Sequence, residues 1–96
     1  MAVVFIVAIK VSDFATYQQY LVGARPLVEA AGGRYLAKTG DIVALEGDFV
    51  PNRLAIIEWP SAEQADAFYN SPEYAPMKAI RQKSAKTEFW TVPLAG

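Results

Sequence analysis

The sequence contains neither cysteine nor histidine. The absence of cysteine excludes disulfides, thiolate metal sites and cysteine nucleophiles, and it is compatible with a reducing cytoplasm, where we expect the protein to be found. The absence of histidine excludes the Ser-His-Asp and Cys-His catalytic machineries, haem ligation by histidine and nearly all zinc sites. We therefore expect neither a metal nor another cofactor.

An excess of charge is also lacking, because nine Lys and Arg face ten Asp and Glu and the net charge is −1. Such a chain has no global field that attracts nucleic acid or an anionic membrane, so neither is expected as a partner. The apolar opening, Met1 to Ile9, has no basic leader and is too short to span a bilayer, so it is interpreted as a strand. No segment longer than a loop is linker-like, and residues 1–96 are predicted to form one domain.

Apolar residues are abundant for so short a chain: 53% are hydrophobic and 12% aromatic, whereas 20% are charged. A domain of this size buries only about 60 to 65% of the surface that its unfolded chain exposes. The sequence therefore carries more apolar side chains than one small core needs. This excess predicts a second buried surface, most simply a subunit interface.

Two segments have the pattern of strands buried on both faces. Val3 to Val11 is rich in β-branched residues and almost free of polar ones. Arg53 to Trp59 is similar, except that one carboxylate, Glu58, lies within the apolar run, and Pro60 closes it. We expect both segments to lie in the middle of a sheet.

Between these strands the sequence predicts a helix that Ser12 or Asp13 caps and that Gly32-Gly33 ends. Its apolar positions recur at spacings of three and four: Phe14, Tyr17, Leu21, Ala24 and Val28. Pro26 lies inside this helix, where it removes a backbone hydrogen bond, so a kink or break is expected near Val22 to Arg25.

Two short apolar segments, Arg34 to Thr39 and Ile42 to Gly47, flank a turn and are interpreted either as a tight hairpin or as one long strand with a bulge. After Arg53 to Trp59, the Ser61-Ala62-Glu63-Gln64 capping box predicts a helix from Ala62 to about Asn70. A second helical piece is expected from Pro72 to about Arg81, disturbed at Pro76. Lys86 to Val92 is predicted as the last strand.

The resulting order, strand-helix-strand-strand-helix-strand, predicts an α+β domain of the ferredoxin-like class, βαββαβ. Right-handed crossovers place the first and third strands in the centre of an antiparallel sheet, with the helices on one face. The other face then has no cover within the chain, and it carries more apolar surface than monomers usually expose. We expect two chains to pair sheet against sheet as a homodimer.

A set of motifs gives the sequence a resemblance to a known family. They are Gly32-Gly33-Arg34-Tyr35-Leu36, Leu45-Glu46-Gly47, Arg53, Ile57-Glu58-Trp59-Pro60-Ser61, Phe68-Tyr69-Asn70-Ser71-Pro72-Glu73-Tyr74 and Arg81. In order and spacing they resemble the bacterial family called domain of unknown function 1330. The resemblance implies a dimeric α/β barrel, in a superfamily with cofactor-free antibiotic-biosynthesis-type monooxygenases, chlorite-dismutase-like haem proteins and small isomerases. It implies no settled reaction, and kinship of fold does not assign one.

Glu58 is the first candidate for chemistry. In an apolar cleft its carboxyl group would have a raised pKa and could act as a general acid or base on a small substrate. Alternatively, it forms a half-buried ion pair with Arg34 across the sheet and holds the register of strands or subunits. The structural alternative is favoured, because such ion pairs are common.

Tyrosines and arginines are the candidate ligand-binding groups. Tyr69 and Tyr74 flank the break between the two predicted helical pieces, where a cleft could open, and Tyr17 lies on the apolar face of the first helix. Packing in the core or an interface is the commoner role of such aromatic residues. Arg34, Arg53 and Arg81 could each bind a carboxylate or phosphate, although a surface or interface charge is the commoner role.

The protein is therefore expected to be a ferredoxin-like homodimer that binds a small organic molecule between the helices and the sheet or inside the barrel. The alternative is a cofactor-independent enzyme, of monooxygenase or isomerase type. In that hypothesis Glu58 is the base, and Tyr69, Tyr74, Arg34 and Arg81 position the substrate. An assembly module without turnover is a third hypothesis, which a packed lumen and a Glu58–Arg34 pair would favour.

Overall fold

The computed structural model of the chain describes residues 1–95, and it has four strands and three helices there. In chain order they are β1 (Val3–Val11), α1 (Phe14–Ala30), β2 (Arg34–Thr39), β3 (Arg53–Trp59), α2 (Ala62–Tyr69), α3 (Ala75–Ser84) and β4 (Ala85–Pro93). The sheet has the order β2-β3-β1-β4, and every neighbouring pair is antiparallel. The ferredoxin-like prediction is confirmed, with β1 and β3 in the centre and the second helical region divided into α2 and α3.

One face of the sheet forms the core with the helices. Side chains alternate between the faces of a strand, and on this face Phe5 and Val7 of β1 lie beside Ile57 and Trp59 of β3. Trp59 has no exposed surface and packs on Phe68 of α2 with ring centroids 5.1 Å apart. The core is therefore a layer of aromatic and β-branched side chains between the sheet and the helices.

Helix α1 runs without a break through Pro26, so of the two alternatives predicted near Val22 to Arg25, a kink or a break, the break is wrong. Pro26 is exposed, whereas Ala24 and Val28 on either side of it are buried, so packing holds the helix together where one backbone hydrogen bond is missing. The predicted start is confirmed: Asp13 Oδ1 accepts a hydrogen bond from the Thr16 amide at 3.1 Å.

The predicted end of α1 is also confirmed. Gly32 has φ +101°, and the Gly33 amide donates to the Val28 carbonyl at 2.9 Å, while the Gly32 amide donates to that of Glu29 at 3.2 Å. These two hydrogen bonds form a Schellman motif, which needs a left-handed residue after the helix. Gly33 has a second role, since a Cβ there would lie 2.9 Å from the Trp59 ring.

Ile42 to Gly47 is not a strand, so both predictions for this segment, hairpin and long bulged strand, are wrong. It belongs to an irregular segment, residues 40–52, in which Val43 and Leu45 are 81% and 93% exposed. The segment has no sheet partner among residues 1–95, and β2 pairs directly with β3. A bulge does occur, but inside β2, where the register shifts between Tyr35 and Ala37.

The start of α3 differs from its prediction. Ser71 to Tyr74 form a turn, in which Ser71 Oγ donates to the Phe68 carbonyl at 2.8 Å and accepts from the Tyr74 amide at 3.2 Å. The helix begins only at Ala75, so Pro76 lies in its first turn. A proline there costs no helical hydrogen bond, and the expected disturbance is absent.

The opposite side of the sheet, called the outer face here, has no helix over it. Its central row crosses all four strands, because Ala37 pairs with Ile56, Ile56 with Ile6 and Ile6 with Trp90. Trp90 is 47% exposed. The remaining outer-face residues are Val4, Ala8, Lys10, Arg34, Thr39, Leu54, Glu58, Lys86, Glu88 and Val92. Ile6, Ile56 and Ala37 are partly exposed, whereas Val4 and Ala8 on the same face are buried, so the chain leaves this apolar row only partly covered.

Among the described residues, no helix is both long and apolar enough to cross a membrane.

Candidate functional site

A small cavity lies between the helices and the inner face of the sheet. Its enclosed volume is about 30 Å³, enough for one water molecule. Tyr17 and Tyr20 of α1, Tyr35 of β2 and Tyr74 line it together with the aromatic side chains Phe5, Phe68 and Phe89. Lys38 and Arg53 are its only charged lining residues. The cavity therefore combines aromatic walls with hydroxyl groups and positive charge.

The tyrosine hydroxyls around the cavity are largely buried, and two of them are hydrogen-bonded to each other. Tyr20 and Tyr74 share a hydrogen bond of 2.8 Å between their hydroxyl oxygens. Burial raises the pKa of Tyr17 to about 12, against the opposing charges of Arg53 and Arg81, and it likewise raises the pKa of Tyr35 to about 12. Burial also raises the pKa of Tyr20 well above its ordinary value, with help from Tyr74. All three groups are thus neutral donors at physiological pH.

Arg81 on α3 lies beside this cavity and is 3% exposed. Its Nε and Nη2 atoms are buried and have no hydrogen-bond partner, and no carboxylate among residues 1–95 forms an ion pair with it. Burial opposes its charge, but Tyr74 and Tyr20 outweigh burial and raise the pKa of the guanidinium. Its central carbon lies 5.3 Å from the centroid of the Phe89 ring. Arg81 is therefore a buried cation that residues 1–95 leave without a counter-ion.

Lys38 and Arg53 form a second cationic group on adjacent strands. Lys38 pairs in register with Ala55, two residues from Arg53, so both lie on the inner face. Burial lowers the pKa of Lys38, and the nearby charges of Arg25 and Arg53 lower it further. Neither Lys38 nor Arg53 has a carboxylate partner within the described part of the chain.

A larger groove lies outside the cavity. It has a volume of about 240 Å³ and is lined by Phe5, Asp66, Tyr69, Phe89 and Thr91. Phe5 and Phe89 line both spaces and are in edge contact, with ring centroids 4.8 Å apart. These two rings therefore separate the inner cavity from the groove.

Glu58 and Arg34 lie on the outer face, away from the cavity. They are opposite each other in the register of β2 and β3, as expected, and Arg34 Nε donates to Glu58 Oε1 at 3.1 Å. The Arg34 side chain is 71% exposed and that of Glu58 is 26% exposed. Glu58 is thus an ion-paired carboxylate at the edge of an apolar surface.

The structure brings together only part of the predicted site. Tyr17, Tyr74 and Arg81 are gathered around the cavity, and Tyr69 lies in the groove on the other side of Phe89, its ring centroid 5.2 Å from that of Phe89. Glu58 and Arg34 are separated from all of them by the sheet. A site that uses Glu58 together with the tyrosines is therefore not formed within one chain.

Lys38 and Tyr20 were missed as site residues. Simple alternation would put Tyr35 and Lys38 on opposite faces of β2, but the bulge after Tyr35 brings both to the inner face. No pattern in the sequence indicates that bulge. Tyr20 had a usable signal, since it lies three residues after Tyr17 on the same side of the helix.

The sequence from residue 2 to residue 94 matches the family described as "Domain of unknown function (DUF1330)". The chain belongs to this family. The resemblance inferred from the motifs is thereby confirmed over nearly the whole length. No curated protein matches this DUF1330 chain significantly.

Solved structures similar to this DUF1330 chain share its fold. RPA0582, a protein of unknown function from Rhodopseudomonas palustris, has 18% identity and a TM-score of 0.81 over 99% of this chain and 84% of its own. A dimeric ferredoxin-like protein of unknown function from Jannaschia sp. CCS1 has 8% identity and a TM-score of 0.76, over 98% and 100%. SnoaB, a cofactor-independent oxygenase from Streptomyces nogalater, has 14% identity and a TM-score of 0.73, over 99% and 94%. At such identities the likeness concerns the fold alone.

Proposed function

We propose that the protein is a homodimeric α/β barrel that binds a small organic molecule between its helices and the inner face of the sheet. The observation that carries this proposal is the cavity where four tyrosines meet Lys38 and Arg53, with the unpaired guanidinium of Arg81 beside it. Perturbed and unpaired polar groups around an apolar cavity are typical of ligand sites.

The cavity must enlarge to hold a ligand, because about 30 Å³ admits a water molecule and not an organic ring. Phe5 and Phe89 form the wall between the cavity and the groove of about 240 Å³. A rotation of the Phe89 side chain would open this wall and join the two spaces. Phe89 lies on β4, an edge strand of the sheet, so its movement disturbs fewer neighbours than movement of a central residue.

The homodimer is supported by the outer face. The row formed by Ala37, Ile56, Ile6 and Trp90 would expose an apolar surface across all four strands in a monomer. The similar protein from Jannaschia sp. CCS1 is described as dimeric. Pairing of two outer faces around a two-fold axis would bury the row in both chains.

A second candidate is a cofactor-independent enzyme, which the similarity to SnoaB favours. Because Glu58 lies on the outer face, a reaction that uses it as acid or base would take place between the two sheets of the dimer. This location differs from the tyrosine-lined cavity, so the two candidates are separable by mutation.

The binding proposal is tested by titrating a fragment library of small ring compounds into protein carrying ¹³C-labelled tyrosine. Saturable shifts of the Tyr17, Tyr20 and Tyr74 ring signals are expected with at least one compound. Ala24 lines the cavity and is buried, so Ala24→Val should fill part of the space and weaken that binding.

The matched control is Ala15→Val, which adds the same two methyl groups at an exposed position of α1. It should leave binding unchanged. A library that moves none of the three tyrosine signals would contradict the proposal, as would equal binding by wild type and a folded Ala24→Val variant.

A further inference from the structure

We infer that the ligand is a ring-bearing carboxylate whose carboxylate group pairs with the guanidinium of Arg81. This inference rests on the proposed binding site and specifies its chemistry. It is carried by the two buried nitrogen atoms of Arg81 that lack a partner, by the absence of acidic groups from the lining of the small cavity and by the position of Phe89 against the guanidinium.

Arg81 is a permanent cation, because the guanidinium group does not lose its proton in proteins. A buried charge without a partner is costly, and proteins keep such a charge where an opposite charge is supplied. Within residues 1–95 the acids that form ion pairs are Glu29, with Arg25, and Glu58, with Arg34. A bound anion would therefore supply the counter-ion that Arg81 lacks.

The free atoms of Arg81 suit a carboxylate. Nε and Nη2 are both without a partner, and together they form the edge of the guanidinium that can donate two parallel hydrogen bonds. Such bidentate pairing matches the two oxygens of a planar carboxylate. The hydroxyls of Tyr20 and Tyr74 are bonded to each other at 2.8 Å, and the pair can donate one further hydrogen bond to an acceptor.

The lining of the small cavity favours an anion over a cation, because among the described residues it includes Lys38 and Arg53 but neither Asp nor Glu. The groove beyond Phe89 contains one acidic residue, Asp66. The aromatic lining, which includes Phe5, Phe68 and Phe89, offers ring faces and edges to a flat apolar body. The class of ligand that fits both features is a small ring compound with one carboxylate.

One movement of the Phe89 ring would both open the cavity to a ligand and uncover the Arg81 guanidinium. The ring lies under the Arg81 guanidinium, with 5.3 Å between its centroid and the central carbon, and it also separates the cavity from the groove. A rotation of Phe89 that admits a ligand therefore uncovers Arg81 at the same time. The ring of the ligand takes over the contact that Phe89 gives up.

The test compares benzoate, 4-hydroxybenzoate and 2-naphthoate with their primary amides, which have nearly the same shape but no charge. Binding is measured from the tyrosine ring signals of the wild-type protein at neutral pH. We expect the acids to bind at least about tenfold more tightly than the amides, as a charge-assisted bidentate pair should provide. This comparison needs no variant and so does not depend on the folding of one.

The Arg81→Gln variant then tests whether Arg81 is the residue that binds the carboxylate of the ligand. The preference for acid over amide should fall to about twofold or less in this variant, whereas Arg34→Gln, on the outer face, should leave it intact. Arg81→Lys keeps the positive charge but loses the two parallel N–H donors of the guanidinium, so it should retain an intermediate preference for acid over amide.

The outcomes distinguish the inference from the proposed function. If the amides bind as tightly as the acids, the carboxylate inference fails while the binding site stands. If neither set moves the tyrosine signals, both fail. If Arg81→Gln folds and keeps the full preference for acids, the assignment to Arg81 is wrong and the anion is recognised elsewhere.

Discussion

Glu58 shows how much of a residue's role depends on its neighbours. Its position in an apolar strand indicates either a general acid or base or an ion pair, and the structure places the Arg34 guanidinium against it, on the face of the sheet that we propose is covered by a second chain. An exposed ion pair contributes about 0 to 1 kcal/mol. If the same pair is buried in an interface, removal of one partner destabilises the dimer more strongly, because the other charge then remains buried without a partner.

We expect Glu58→Gln to weaken the dimer about 5- to 30-fold, which corresponds to about 1 to 2 kcal/mol. Arg34→Gln should weaken it by a similar factor, and the double variant should weaken it by less than the product of the two, because both remove the same interaction. The measurement is the dimer dissociation constant from analytical ultracentrifugation.

Glu88→Gln is the matched control for Glu58→Gln, because Glu88 lies on the same face but forms no ion pair among the described residues. Full additivity of the Arg34 and Glu58 variants would contradict the structural role. If Glu58→Gln instead leaves the dimer intact and abolishes turnover of a true substrate, Glu58 is catalytic and the second candidate function is supported.

The elements with strong patterns could be predicted from the sequence, and those that depend on tertiary context could not. β1 and β3 are apolar on both faces, and their bounds follow from that pattern. The irregular segment from residue 40 to residue 52 was mistaken for a strand, because Ile42 to Gly47 has apolar residues at strand-like spacing. In the structure β2 pairs directly with β3, and among the described residues the segment pairs with neither edge of the sheet.

The site was less predictable than the fold for a related reason. Tyr17 and Tyr74 could be selected as buried aromatic residues, but their approach to Arg81 depends on how α1 packs against α3. The two helices come close at Gly23, where a Cβ would lie 2.5 Å from the sulfur of Met77. A single glycine thus sets a distance that no local pattern indicates.

Pro26 interrupts the hydrogen bonding of helix α1, so its replacement should stabilise the protein. We expect Pro26→Ala to raise the free energy of unfolding by about 1 to 3 kcal/mol, because alanine restores the amide that α1 lacks and relieves the clash with the preceding turn. Pro26 is exposed, so the change should not disturb the core. The measurement is urea denaturation followed by circular dichroism.

Gln19→Ala, at another exposed position of α1, is the control for Pro26→Ala and should change stability by less than about 0.5 kcal/mol. Equal or lower stability of Pro26→Ala would show that the proline is better accommodated in the helix than its missing hydrogen bond indicates.

At the scale of the whole molecule, the two faces of the sheet divide the apolar residues of the sequence. The inner face forms a core with three helices, and the outer face carries the row Ala37, Ile56, Ile6 and Trp90, over which no helix lies among residues 1–95. The proposed pairing of two outer faces would add a second buried surface, and the two surfaces together would account for the 53% hydrophobic content. The homodimer is the proposal that completes the second.

Sedimentation equilibrium shows directly whether two outer faces pair. We expect a mass of about 21 kDa for the wild type, twice the 10.5 kDa of one chain. Ile56→Lys, which puts a charge in the middle of the outer face, should sediment at 10.5 kDa. Val22→Lys, at an exposed position of α1, should remain dimeric. A wild-type mass of 10.5 kDa, or a folded Ile56→Lys variant that stays at about 21 kDa, would show that the outer face is not the dimer interface.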